Sequence, residues 1–186
     1  MVTTSDSTNI VTQPKHGQDA HRSLKRWLKH FFYFQSTKQY FSKQDQYAIA
    51  TAVEQAEHGH IGEIQVVIEG SIPSQMAYRY DTKMRAQQLF AELGVWDTEY
   101  NSGVLLYLNL CDRKVEIVFD RGLKQATKQE VWEEISLNIV ECLKSKLFRQ
   151  GVILGVEKIG NLLDVYYGNK FADYENELKN TPIILG

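Results

Sequence analysis

The sequence predicts an α/β sandwich, with a small mixed sheet that includes a hairpin held between flanking helices. Three observations carry this reading. Two short apolar, β-branched runs, Glu63 to Glu69 and Val104 to Leu110, are separated by a stretch of helical character. The second run is followed, after only Cys111-Asp112-Arg113-Lys114, by Val115 to Phe119. So short a link leaves no room for a parallel crossover, so these two strands must fold back antiparallel. On both sides of the strands, apolar residues recur at the spacing of a helix that buries one face.

In chain order, residues 1–21 are rich in Thr, Ser and Gln with no hydrophobic period, and are expected to form a disordered tail. Residues 22–36 read as a basic amphipathic helix. Leu24, Trp27, Leu28 and Phe31 make its stripe, Arg22, Lys25, Arg26 and Lys29 flank it, and Phe32, Tyr33 and Phe34 extend its aromatic surface. Either this helix packs on the domain with its basic face in solvent, or residues 22–34 lie in an anionic membrane interface. The main domain is placed at residues 37–168. Ser42 with Asp45 three positions on reads as the start of a helix, Ile49, Ala52, Val53 and Ala56 as its buried face, and Gly59 as its left-handed stop. His58 and His60, beside that stop, are expected to cap the helix and face solvent.

After the first strand, Gly70 to Ser74 is loop and a helix is expected from Ala77 to Leu93, with Gly94 ending it. Val104 to Leu110 is apolar on both faces, which marks a central strand. Thr127 to Glu130 has the spacing of a capping box, followed by Val131, Trp132, Ile135, Ile139 and Leu143 on a helix. Phe148-Arg149-Gln150-Gly151 is expected to break that helix, and Val152, Val156, Ile159 and Leu163 mark a last one. Residues 169–186 read as a C-terminal tail.

The net charge of −2 and pI near 6.2 speak against a nucleic-acid binder. Cys111 and Cys142 form neither a disulfide framework nor a CxxC pair, and no apolar run reaches the ~18 residues that span a bilayer. The expected location is therefore the cytoplasm.

The chemistry-bearing residues gather at predicted strand ends. Asp97, Glu99, Asn101 and Asp120, with Glu63 as a fifth member, supply the oxygen ligands that hard cations such as Ca²⁺ or Mg²⁺ prefer. The spacing Asp97-x-Glu99-x-Asn101 lacks the Gly and the distant Glu of an EF-hand loop. The plainer alternative is that Asp97 and Glu99 are solvated, Asn101 and Gly103 serve a turn, and Asp120 caps or pairs with Arg121.

Taken together, several blocks resemble one family, the TPM domain, described in thylakoid-lumen and photosystem-repair proteins and common in bacteria. They are Gly62-Glu63-Ile64-Gln65-Val66, Arg85-Ala86 through Phe90, and Asn101-Ser102-Gly103-Val104-Leu105-Leu106-Tyr107-Leu108. Lys114-Val115-Glu116-Ile117-Val118, the Asp120-Arg121-Gly122 corner and Trp132 complete the set, over residues 40–167. The resemblance implies a sheet between helices and, for some members, divalent-cation binding with phosphatase activity. On that implication a cation neutralises the phosphate and activates water, with Asp120 and Asp97 as ligands or base and Arg79, Arg85 or Arg121 as the clamp. No Cys-x5-Arg loop, phosphoaspartate motif or Walker A accompanies these residues. The expectation is a cation-binding regulatory or protein-interaction module with an unidentified protein partner; the alternative is a low-specificity metal-dependent phosphatase catalysed by Asp120, Arg121 and Arg85.

Overall fold

The apolar runs build the sheet. A computed structural model describes residues 22–168 and 176–186, so the tail expected at 1–21 lies outside the described residues. Strands β1 (Glu63–Glu69) and β2 (Gly103–Asn109) are buried along their whole length. They run parallel, Glu63 opposite Gly103 and Glu69 opposite Asn109. Strand β3 (Lys114–Phe119) returns antiparallel on β2, as the short turn requires. A fourth strand, β4 (Ile183–Leu185), lies parallel on the other side of β1, giving the order β3-β2-β1-β4. The segment expected to be a tail thus contributes an edge strand. Its three residues are too few to carry a period, and it is held from outside: Glu63 accepts the backbone N–H groups of Glu177 and Leu178 at 3.1 and 3.2 Å.

Helix α1 spans Leu24–Phe31, and α2 spans Lys43–Glu57, entered through a reciprocal capping box between Ser42 and Asp45. The helix expected over 77–93 divides into α3 (Ser74–Ala77) and α4 (Thr82–Glu92). Asp81 is the reason, since its Oδ1 accepts the Met84 N–H at 2.8 Å and starts a new helix there. A short α5 (Arg121–Ala126), not expected from the sequence, follows β3; α6 (Gln129–Lys144) and α7 (Phe148–Tyr167) complete the set. Thr127 does not cap α6. Its hydroxyl donates to Leu123 O at 2.7 Å and accepts the Trp132 indole N–H at 2.7 Å, a tertiary demand that overrides the local box. The chain turns between α6 and α7 at residues 145–147, so Phe148 to Gly151 open α7 instead of ending α6.

Alternation along the strands sorts side chains to two faces. Ile64, Val66, Ile68, Val104, Leu106 and Leu108 pack with α2, α6 and α7, each such side chain contributing roughly 1.5–3 kcal/mol. Gly160 lets α7 approach α2, because a Cβ there would sit 2.7 Å from that of Ala56. Val67, Leu105, Tyr107 and Val118 pack with Ala86, Leu89 and Phe90 of α4 on the opposite face. The result is the expected α/β/α layering. Among the described residues, no helix is long and apolar enough to cross a membrane.

Candidate functional site

Because β1 and β2 run parallel and β3 antiparallel, Glu63, Asn101 and Asp120 all fall at the same end of the sheet. The sequence alone could not fix that direction. Asp120 directly follows β3, donating its N–H to Gly103 O at 3.0 Å, and is 1% exposed. Its Oδ1 accepts the Arg121 N–H at 2.6 Å, which starts α5. Its Oδ2 is buried and meets no hydrogen-bond donor among the described residues. Burial pushes this carboxyl up to about 6, against the opposing pull of Arg121.

Beside it, Asn101 holds a left-handed backbone (φ 53°) that aims its carbonyl at the corner. A Cβ on Gly122 would lie 2.6 Å from Asn101 O and 2.6 Å from Tyr167 Oη, so only glycine fits. The Asp120 carboxyl, the Asn101 carbonyl and the Tyr167 hydroxyl therefore frame one corner, and burial together with the Asp120 charge raises the Tyr167 pKa.

The other acidic residues are placed differently. Glu63 spends its carboxylate on the Glu177 and Leu178 amides. Asp97 and Glu99 are exposed, and Glu99 donates its N–H to the Glu177 carboxylate at 3.0 Å. Two groups that sequence reasoning did not single out as site residues stand nearby. Glu57 Oε1 accepts the Ile64 N–H at 2.7 Å while its Oε2 is buried with no partner among the described residues, and burial, reinforced by Glu63 and Glu54, pushes it up to about 8. His60 is 5% exposed and does not face solvent as expected. Its Nδ1 accepts the Gly62 N–H at 3.0 Å, its Nε2 is buried without a partner among the described residues, and burial lowers its pKa.

Arg85 is elsewhere. It pairs with Glu69, the last residue of β1, through Nη2 at 2.7 Å and Nε at 3.1 Å. Six strand residues, on the order of 20 Å, separate that end from Asp120, so the two do not share a site. Of the other arginines considered as clamps, Arg121 adjoins Asp120 and Arg79 lies in the α3–α4 link. At the Arg85 end, Tyr107 Oη donates to Glu69 Oε2 at 2.6 Å and accepts from Asn109 Nδ2 at 2.9 Å, and Asn109 Oδ1 accepts the Asp112 N–H at 2.8 Å.

Asp112 carries the chain on to α1, through Lys29 Nζ at 2.7 Å and His30 Nε2 at 3.1 Å. Against the opposing effect of burial, the hydrogen bonds from His30 and Lys29 hold its carboxyl well below the usual range. His30, Cys111 and Asp112 form the only group of three potential metal ligands within 4.8 Å of one another among the described residues. They do not fit a metal. His30 Nδ1 accepts the Ile72 N–H at 3.0 Å, so the ring proton sits on Nε2 and points at Asp112, leaving no lone pair to give. Burial and Asp112 push the Cys111 thiol up to about 11, which disfavours the thiolate that a metal takes.

With this geometry in hand, a family model, the TPM domain, matches residues 35–162, more than half of the chain. The chain belongs to the TPM domain family. Its fold is similar to the solution structure of the BA42 protein of the psychrophilic bacterium Bizionia argentinensis, at 28% identity and a TM-score of 0.70 over 80% of this chain and 97% of that one. It is also similar to the N-terminal domain of a P. gingivalis protein (19% identity, TM-score 0.60, 75% of this chain and 85% of that). The N-terminal domain of cg2496 from Corynebacterium glutamicum gives 13% identity and a TM-score of 0.54, over 78% of this chain and 92% of that. No curated protein matches. In this TPM domain the family blocks serve both ends of the sheet: Asn101 and Asp120 build the open corner, and Arg85 and Tyr107 the closed network.

Proposed function

We propose that the protein is a divalent-cation-binding TPM module in which the cation sits against Asp120 and regulates contact with a protein partner. One observation carries the reading: a carboxylate oxygen that is buried yet accepts no hydrogen bond from any described residue. A buried polar atom left so costs about 1–3 kcal/mol; a hard cation would offset that cost. Asp120 Oδ2 and the Asn101 carbonyl are the oxygen donors Ca²⁺ or Mg²⁺ takes, and the glycine-only contact at Gly122 keeps that carbonyl within reach. Solvent from the Asp97–Glu99 side would complete the coordination, since a cation with few protein ligands keeps water. The bound cation would hold Asp120 ionised and fix the Asn101 turn, and so alter the surface that Asp97 and Glu99 present.

Calorimetric titration of Ca²⁺ and Mg²⁺ into metal-stripped protein tests this. Binding is expected in the wild type and absent in Asp120→Asn, a change that keeps an oxygen to cap α5. Asp97→Asn is expected to weaken it less. Binding that survives Asp120→Asn places the cation elsewhere.

A second reading is favoured by the acidity of Asp120. A carboxyl raised to about 6 is suited to proton transfer near neutrality, as a metal-dependent phosphatase requires, with Arg121 the one arginine adjoining it. Hydrolysis of a chromogenic phosphate ester that depends on both Asp120 and added cation would support it. Activity unchanged in Asp120→Asn sinks it.

A further inference from the structure

Helix α1 is docked the wrong way round for a helix that packs on a core. Arg26 donates from Nε to Ala77 O at 2.6 Å, and His30, one turn on and 3% exposed, is held by Ile72 and Asp112. The polar side faces the domain. Trp27 is half-buried, stacked on Phe31, and the rest of the apolar stripe faces out, with Leu24 66%, Leu28 45% and Phe31 48% exposed, and Phe32 and Phe34 beyond it at 61% and 83%. Five large apolar side chains on one continuous segment form a patch that a protein ordinarily covers.

The charge around the patch says with what. Residues 22–44 contain six Lys or Arg and no Asp or Glu, in a chain whose net charge is −2. Lys29 is paired with Asp112. Arg22, Lys25, Lys38 and Lys43 are exposed and form no ion pair among the described residues. An open groove of about 690 Å³ continues the surface beside Leu24 and Trp27, walled by Met76, Tyr78 and Tyr80, with Arg79 at its rim. Aromatic and leucine side chains projecting together, with cations along one border, match the acyl–headgroup boundary of an anionic bilayer.

We propose that residues 24–34 anchor the domain on an anionic lipid surface, α1 lying in the plane of the interface with Leu24, Leu28, Phe31, Phe32 and Phe34 inserted. Arg26 and His30 hold the helix rigidly to the domain, so the anchor would also set the domain's orientation on the membrane. This needs no apolar span and is independent of any cation at Asp120, at the far end of the sheet.

The test is co-sedimentation of the full chain with vesicles of phosphatidylcholine alone or mixed with phosphatidylglycerol. Binding to the anionic vesicles is expected, at least ten-fold weaker to the neutral ones and several-fold weaker when salt rises from about 0.1 M to about 1 M, where the Debye length contracts from about 10 to about 3 Å. Leu28→Glu with Phe31→Glu should abolish binding and, since both side chains are exposed, leave the melting temperature unchanged. Arg22→Glu with Lys25→Glu should weaken it several-fold. No binding to anionic vesicles, equal binding to both compositions, or a double glutamate variant that still sediments would each overturn the proposal. So would a dimer in solution that the glutamates dissociate without any vesicle binding, which would assign the patch to a second copy of the chain.

Discussion

The two ends of the parallel pair β1–β2 are built from similar residue types and differ in whether their polar atoms are satisfied. At the Glu69 end, Arg85, Glu69, Tyr107 and Asn109 close on one another and on the backbone of Asp112, with no carboxylate, hydroxyl or amide left over. At the Glu63 end, Asp120, Glu57 and His60 each keep one buried atom without a partner among the described residues. A closed network fixes the register of a sheet and the docking of its helices. Unsatisfied atoms cost stability, and a protein retains them where something else is to be bound or a proton moved. The difference teaches that Arg85, the more conspicuous residue of a family block, belongs to the architecture, while the unsatisfied atoms lie at the quieter corner around Asp120.

Breaking the closed end should have the largest effect. Arg85→Ala leaves the Glu69 charge buried and unpaired, and is expected to destabilise by about 3–5 kcal/mol in denaturant unfolding. A loss below ~1 kcal/mol would mean that water reaches Glu69 and the two ends are less unlike than described. Tyr107→Phe removes one hydroxyl from the same network and is expected to cost about 1–3 kcal/mol, with little further loss when combined with Arg85→Ala, because the two share Glu69.

The open end should respond in the opposite direction. Burial pushes the Glu57 carboxyl up to about 8 in the folded protein, from an ordinary value of 4.5. Its stabilising contribution is complete below that lower value and is lost as pH rises through the folded one. Glu57→Gln keeps the acceptor for Ile64 and removes the buried charge. Melting temperatures of the two proteins should coincide near pH 4, and the variant should exceed the wild type by several degrees near pH 9. A constant gap across that range would show that Glu57 is solvated. Asp120→Asn should be the mildest, within about 1 kcal/mol, since asparagine caps a helix as well as aspartate; on the proposed reading it costs the cation heat and not the fold.

Local signals made the framework legible from sequence. The Ser42–Asp45 cap, the β-branched run at 64–68 and the four-residue turn each act within a few residues; the structure places the first two as read and the turn one residue earlier than expected, at 110–113. What failed was decided at a distance. Thr127 was taken by Trp132, which stacks on Phe119 with ring centroids 4.4 Å apart. Asp81 cut one expected helix in two, and Ile183–Leu185 joined the sheet through contacts with β1. At the candidate corner, Asn101 and Asp120 are visible in the sequence because acidic and amide groups at strand ends stand out. Arg85 was misplaced because a sequence does not say to which end of a sheet a helix turns its cation. A polar Tyr107-x-Asn109 inside an otherwise apolar strand was the available hint of a buried network there. The exposed face of α1 was legible as a stripe; that it points away from the domain was not.

The register of β4 has a kinetic consequence. It lies on β1, although the backbone groups that anchor its approach bind Glu63 across 114 residues of chain. The β2–β3 hairpin can zip locally, but β4 must wait for the closure of a very long loop, the slowest kind of event in building a sheet. It should therefore be the last strand to form and the first to open, with the amides of Ile183 to Leu185 exchanging with solvent well before those of β2.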